Sequence, residues 1–247
     1  MTCLMEISGK TALVTGSARR IGRRTVLELA RRGARIAVHY RSSEADALRT
    51  VREIEELGVE AGLFRADLTR PEAPETLVDA VLRRFDSLDI LVNNASVFGV
   101  GTLEASTPGL WDEQMGTNAR APFFIARAAA RTMLGQARGK IINVADPAGE
   151  AIWTAYFPYS VSKAALLAVT RGLARALAPN VQVNAVAPGP VEFPEDYTDR
   201  QKRVAIDRTL LKRAGSPEDV VRAIVFLIEN DYITGEVLHV DGGRHIL

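Results

Sequence analysis

Apolar residues along this chain fall into two alternating patterns. Short continuous apolar runs occupy 10–15, 35–40, 61–66, 89–93, 140–144, 181–186 and 237–240. Such runs, bounded by turn residues, predict strands buried on both faces. Between them, apolar positions recur every three or four residues. That spacing predicts helices over 23–32, 44–57, 71–85, 111–134, a stretch following Pro158, and 217–228. The punctuation agrees with this reading. Gly33 and Gly58 close two of the helices, while Pro71 and Pro217 open two others. Strands alternating with helices predict a parallel sheet covered by helices. Residues 190–216 break the pattern: they are polar and irregular, and predict a mobile flap with a short helix. No linker, repeat or low-complexity stretch interrupts the alternation, so one domain over 1–247 is expected.

Composition narrows the function classes. At 47% hydrophobic the chain can bury a substantial core. Lys+Arg number 31 against 30 Asp+Glu, so overall charge gives no reason to expect nucleic acid or an anionic membrane as partner. The single cysteine, Cys3, excludes an internal disulfide and is read as an incidental thiol. No run reaches membrane-span length, and residues 1–8 lack the basic and apolar regions of a signal peptide. A cytoplasmic location is the expectation.

Three stretches carry candidate chemistry. Tyr159 and Lys163 are four residues apart on a predicted helix, so they share a face. An ammonium beside a phenol favours phenolate, which predicts a Tyr159 pKa lowered toward neutrality and a role in proton transfer. Gly16, Arg20, Ile21 and Gly22 lie in the turn between the first strand and first helix. There, glycines admit a pyrophosphate to a helix N-terminus. The second strand ends His39, Tyr40, Arg41, Ser42, with no acid before Glu44. Versions of this unit that bind NAD place an acid on the ribose 2′-hydroxyl. Arg41 and the Ser42 and Ser43 hydroxyls suit a 2′-phosphate instead, with Arg20 as a second cation. The bland alternative is that Arg19, Arg20 and Arg41 form a solvated rim.

With these motifs in order, the chain resembles the short-chain dehydrogenase/reductase family over nearly its whole length. The resemblance implies a single-domain α/β Rossmann-like fold: a doubly wound parallel sheet of about seven strands with helices on both faces. It also assigns further residues. Asp67 and Leu68 match its adenine contact, and Asn93, Asn94 and Ala95 match its NNA motif, followed here by Ser96. Asn118 resembles the helix asparagine that orders a proton-relay water. Pro188 and Gly189 match the motif beside the nicotinamide, and Val240, Asp241, Gly242 and Gly243 match the C-terminal signature. NADP(H) is the implied cofactor, and no metal is expected. The family's homotetramers imply close helix packing, for which Ala126, Ala128, Ala129 and Ala130 are suited. The same alanines equally suit an intramolecular core.

Two departures from the family pattern point to one branch. Arg20 replaces a loop glycine, and Asp146 stands thirteen residues before Tyr159, where most members carry a serine. An ionised carboxylate cannot donate to a ketone oxygen. It would repel a developing alkoxide and raise the Tyr159 pKa. Both departures, with Ser96 and Phe98 after the NNA motif, resemble the pteridine reductases and the bacterial dihydromonapterin and dihydrofolate reductases. That resemblance implies reduction of a C=N bond in a pterin or folate. The residues it implies are Asp146, Tyr159, Lys163 and Asn118 in catalysis, and Ser96, Phe98, Asp146 and Tyr159 at the substrate. Phe98 would stack on the pterin; its alternative is core packing. Asp146 has its own alternative as a turn residue before Pro147. Two other functions remain open: a carbonyl reductase such as a 3-oxoacyl-carrier-protein reductase, and a non-catalytic NADP(H)-binding protein.

Overall fold

Every continuous apolar run becomes a strand in the computed structural model, which describes residues 5–247. Cys3 lies outside the described residues. The strands are β1 (Thr11–Val14), β2 (Arg35–Tyr40), β3 (Ala61–Arg65), β4 (Ile90–Asn93), β5 (Gly139–Val144), β6 (Val181–Pro188) and β7 (Val237–Val240). They form one parallel sheet in the order β3-β2-β1-β4-β5-β6-β7. The helices are α1 (Arg20–Arg31), α2 (Glu44–Glu56), α3 (Ala73–Phe85), α4 (Pro108–Met115), α5 (Ala121–Gly135), α6 (Ala148–Ala151), α7 (Phe157–Leu177), α8 (Asp199–Asp207) and α9 (Pro217–Glu229). The expected class, a doubly wound sheet of seven strands with helices around it, is the fold observed.

Alternate strand residues feed two separate cores, as the twofold period of a strand requires. Ala12, Val14, Ile36, Val38, Ile90 and Val92 pack with α1, α2 and α9 on one face. Leu13, Ala37, Leu91 and Ile141 pack with α3, α5 and α7 on the other. Ala126, Ala128, Ala129 and Ala130 belong to this second core, so their small size serves packing within the chain. Strand order reverses between β1 and β4, and that reversal opens a crevice at the carboxyl ends of the strands. Among the described residues, no helix is long and apolar enough to cross a membrane.

Several boundaries differ from the sequence expectation, among them α3, which starts at Ala73 and not at Pro71. Helix α1 starts at Arg20, not 23, because the turn closes there: Arg19 is extended (φ −144°, ψ 170°) and Arg20, at φ +56°, turns the chain into the helix. The helix expected over 111–134 begins at Pro108, where the Thr107 hydroxyl caps Leu110 N–H. It is then interrupted by a π-helical turn, Gly116–Arg120. A one-residue widening of this kind leaves the apolar period nearly unchanged, and such turns gather at functional sites. The flap at 190–216 contains α8, held by a capping box between Thr198 and Gln201.

Candidate active site

The glycine turn is built by close approach. Gly16 takes φ +64°, and a Cβ there would sit 3.0 Å from Ala95 Cα. A Cβ on Gly22 would sit 2.5 Å from the Gly16 carbonyl oxygen. Neither position tolerates a side chain. Arg20 occupies the left-handed region at φ +56°, so it keeps the backbone shape of the glycine it replaces. Thr15 Oγ1 accepts from the backbone N–H of Asn94 and Ala95, each at 2.9 Å. Asn94 Nδ2 donates to the Thr15 and Gly16 carbonyls. Asn94 was not singled out from the sequence as a cofactor residue, yet it is the clamp between the two loops.

His39 works beneath the turn rather than at its surface. Its Nδ1 accepts from Gly16 N–H at 2.9 Å, so Nε2 carries the proton and donates to Ala66 O at 3.2 Å. Burial pushes the imidazole down to about 4, with the Ala66 contact pulling it up. The buried ring is therefore neutral and fixes the loop that lines the cleft.

The cleft along this loop is lined by Ile21, Arg41, Ser42, Asp67, Leu68, Ala95 and Ser96 among others. Its chemistry fits NADP(H). The first turn of α1 carries no acid, leaving its N–H groups open to phosphate. The first acid after β2, Glu44, accepts a hydrogen bond from the Tyr40 hydroxyl at 3.0 Å. Arg41 and Ser42 line the cleft directly after β2, where a cation and a hydroxyl suit a 2′-phosphate. Asp67 is held low by the Thr69 hydroxyl despite burial. The buried Thr117 hydroxyl lines the cleft and has no partner within the protein.

Arg20 is a correction to the 2′-phosphate expectation. Its Nη2 donates to the carbonyls of Glu192 (2.8 Å) and Phe193 (3.1 Å), with Glu192 Oε2 at 3.6 Å from Nε. It ties the glycine turn to the flap. Asn93 is a second correction. Its side chain is 2% exposed and donates to Asn143 Oδ1 at 2.9 Å, inside the sheet and away from the cleft. Asn118 is a third. In the π turn it is 1% exposed: Oδ1 accepts from Val97 N–H and Ser96 Oγ, and Nδ2 donates to Val97 O and Ser162 Oγ. It clamps the loop after β4 to α7 and does not line the cleft.

Asp146, Tyr159 and Lys163 meet at the end of β5. The Tyr159 hydroxyl donates to Asp146 Oδ2 at 2.7 Å, while Oδ1 accepts from Ala148 N–H at 2.8 Å. Lys163 Nζ donates to Val144 O at 2.9 Å. Burial raises the Asp146 carboxyl, although Ala148 N–H, Lys163, Tyr159 and Arg244 all favour its charge. Burial and the Asp146 charge hold Tyr159 well above the ordinary phenol range. Burial pushes Lys163 down to about 8, with Asp146 pulling it up. The expectation that Lys163 lowers Tyr159 toward neutrality is therefore overturned. Burial first and the Asp146 charge second act on the phenol, and Lys163 donates to the Val144 carbonyl.

A second cavity, of about 790 Å³, opens beside this trio under the flap. Pro188 and Gly189 border both spaces. Its walls are aromatic. Phe98 is stacked on Tyr156 (centroids 4.5 Å, 18°) and lies edge-on to Tyr159 (4.7 Å, 87°). Trp153, Phe193 and Tyr197 complete the set, and the Tyr156 and Tyr197 hydroxyls are 3.3 Å apart. Sequence reasoning found Phe98 but missed Trp153, Tyr156 and Tyr197. None of these three falls in a periodic pattern that marks a face.

Comparison with known proteins agrees with this geometry. The family described as enoyl-(acyl carrier protein) reductase matches residues 16–245. A curated relative, the 3-oxoacyl-acyl-carrier-protein reductase FabG of Staphylococcus aureus (strain Mu50), is 34% identical over 242 residues, covering 96% of this chain and 98% of its own. Among solved structures, the FolM alternative dihydrofolate reductase 1 from Brucella canis, complexed with NADP, superposes with a TM-score of 0.90 at 32% identity. It covers 98% of this chain and 97% of its own. The angucycline C-6 ketoreductase LanV with bound NADP gives 0.91 at 32% identity, with 98% of each chain covered. A glycine turn at the first strand reversal, a buried Tyr-Lys pair at the end of β5 and these relatives together make the chain a member of the short-chain dehydrogenase/reductase family, an NADP(H)-binding oxidoreductase.

Proposed function

We propose that the chain is an NADPH-dependent reductase of a C=N bond in a pterin or dihydropterin, folates included. The observation that carries this reading is the 2.7 Å hydrogen bond from Tyr159 to Asp146. A carboxylate at that position accepts from ring N–H and amino groups, which a pterin has and a ketone lacks. Bound NADPH supplies the hydride. Tyr159 gives the proton to the ring nitrogen, Asp146 accepts from the pterin donors, and after product leaves a proton taken from solvent by the Asp146 carboxylate restores Tyr159. Lys163 binds the nicotinamide ribose and balances the Asp146 charge. Arg41 and Ser42 hold the 2′-phosphate, and Ile21, Gly22, Ala95 and Ser96 line the phosphate path. Asn118 positions Ser96 and Val97 rather than touching substrate. Phe98 offers a flat apolar face to a flat head. The flap over 190–216 forms the substrate side of the site. We further infer a homotetramer, as the family resemblance implies; sedimentation of purified protein tests it.

The second reading is a 3-oxoacyl-carrier-protein reductase, favoured by the 34% identity to the Staphylococcus aureus enzyme. Asp146 counts against it, because reduction of a ketone places negative charge beside a carboxylate, at a cost. The Asp146→Ser variant separates the two. The pterin reading expects turnover of dihydropterins to fall by about 10²-fold or more while NADPH affinity holds. Unchanged or improved dihydropterin turnover in that variant contradicts it.

A further inference from the structure

The inner end of the 790 Å³ cavity is taken up by the chemistry above, but its outer wall is not. Three arginines line that wall. Arg200 lies in α8, Arg208 caps the end of α8, and Arg244 opens the final 3₁₀ turn, Arg244–Ile246. Several arginines elsewhere on the surface are paired, such as Arg23 with Glu53, Arg84 with Glu60 and Arg127 with Glu75. Among the described residues, none of the three wall arginines forms an ion pair. The two carboxylates that line the cavity are committed elsewhere: Asp146 to Tyr159 and Ala148, and Glu192 to Arg20. Arg244 is half-buried, and the Trp153 ring lies 4.1 Å from its guanidinium carbon, which fixes the plane of the fork. Burial lowers the Arg244 pKa and Arg208 adds to it, with Asp146, Tyr197 and Asp241 opposing. Arg200 and Arg208 are exposed and Arg244 half-buried, and like charges gathered without counter-ions on one wall are stabilised by an incoming anion.

The size of the cavity points the same way. A bicyclic head of about a dozen heavy atoms, each taking at most the ~30 Å³ of a liquid water molecule, fills less than half of it. The remaining volume is bordered in part by Arg200, Arg208 and Arg244.

We propose that Arg200, Arg208 and Arg244 form an anion subsite for the carboxylate or phosphate tail of the substrate whose reducible head sits at Asp146 and Tyr159. The inference rests on the active-site reading above. Under the pterin reading the tail is a glutamyl carboxylate, so a folate-type substrate is preferred over a pterin with a short neutral side chain.

Matched substrate pairs test the subsite independently of the head. The pairs are dihydrofolate with dihydrobiopterin, and acetoacetyl-CoA with acetoacetyl-N-acetylcysteamine. In each, one member carries an anionic tail and the other does not. The expected result is that the anionic-to-neutral ratio of kcat/KM falls about tenfold in the Arg200→Gln/Arg208→Gln double variant, through KM. Added salt should lower the same ratio in the unmodified protein. A ratio unchanged by both overturns the subsite while leaving the pterin reading intact. A response confined to the thioester pair supports the subsite and overturns the pterin head. If neither pair is turned over, calorimetry of p-aminobenzoyl-L-glutamate binding to NADP⁺-loaded protein decides. Binding lost in the double variant supports the subsite, and no binding to the unmodified protein overturns it.

Discussion

The hydroxyl of Tyr159 is committed to one carboxylate oxygen of Asp146, and Lys163, held by the Val144 carbonyl, feels the charge of that carboxylate. Removing the hydroxyl in Tyr159→Phe removes the proton donor and leaves the ring packed. Steady-state assays should show kcat reduced by about 10²–10⁴-fold, with NADPH titration giving an affinity within about twofold. Lys163 titrates at about 8, so its positive charge is complete below that pH and lost above it. The kcat/KM profile should therefore decline as pH rises through about 8. A profile flat to pH 10 would remove the charged form of Lys163 from the mechanism. His39 gives a stability prediction of opposite sense. It is neutral in the fold with a pKa of about 4, against 6.5 when unfolded. Between these values the unfolded chain binds the extra proton, so stability falls as pH drops from 6.5 toward 4. The loss is on the order of 3 kcal/mol in all. Urea unfolding at pH 7.5 and pH 5 should show it, and His39→Asn should flatten the dependence. The Tyr-Lys spacing and the odd Asp146 were legible from the chain, because they are local. Both influences on Tyr159, Lys163 lowering and Asp146 raising its pKa, were legible; which one prevails was not, because it depends on burial.

At the level of elements, the site is a set of loops pinned to one another at the carboxyl ends of the strands. Gly22 is packed so tightly on Gly16 O and Asn94 that a methyl group has no room. Gly22→Ala should destabilise the fold by about 1–3 kcal/mol, seen as a lower melting temperature, and should abolish the stabilisation that NADPH confers. The π turn carrying Asn118 is the other pinned element: it widens the helix where the side chain must reach both Val97 and Ser162. Strand positions could be read within two residues, since burial on both faces leaves a continuous apolar run. The π turn could not, since Gly116–Arg120 sits within an unbroken helical period. The role of Arg20 was equally hidden. Its partners, Glu192 and Phe193, lie far along the chain in a segment without periodic pattern.

For the whole molecule, the strand order places the glycine turn, the loop after β4, the Asp146-Tyr159 pair and the flap around one crevice. Alternation of strands and helices was enough to read this architecture. The C-terminal Arg244 shows what alternation cannot deliver, since only the closed fold brings the end of the chain back to Asp146. Cofactor choice is a property of the assembled cleft. At about 100 times its dissociation constant NADPH should add about 2.7 kcal/mol, raising the melting temperature by roughly 5–10 °C. NADH at the same concentration should add much less, and Arg41→Ala should bring the two together. The central claim is that Asp146 makes this a site for C=N reduction. The most direct test is NADPH consumption by the purified protein, measured in parallel with dihydrobiopterin, dihydrofolate and an acetoacetyl thioester. Turnover of the dihydropterins with little or none of the thioester is the predicted result, and turnover of the thioester alone would contradict it.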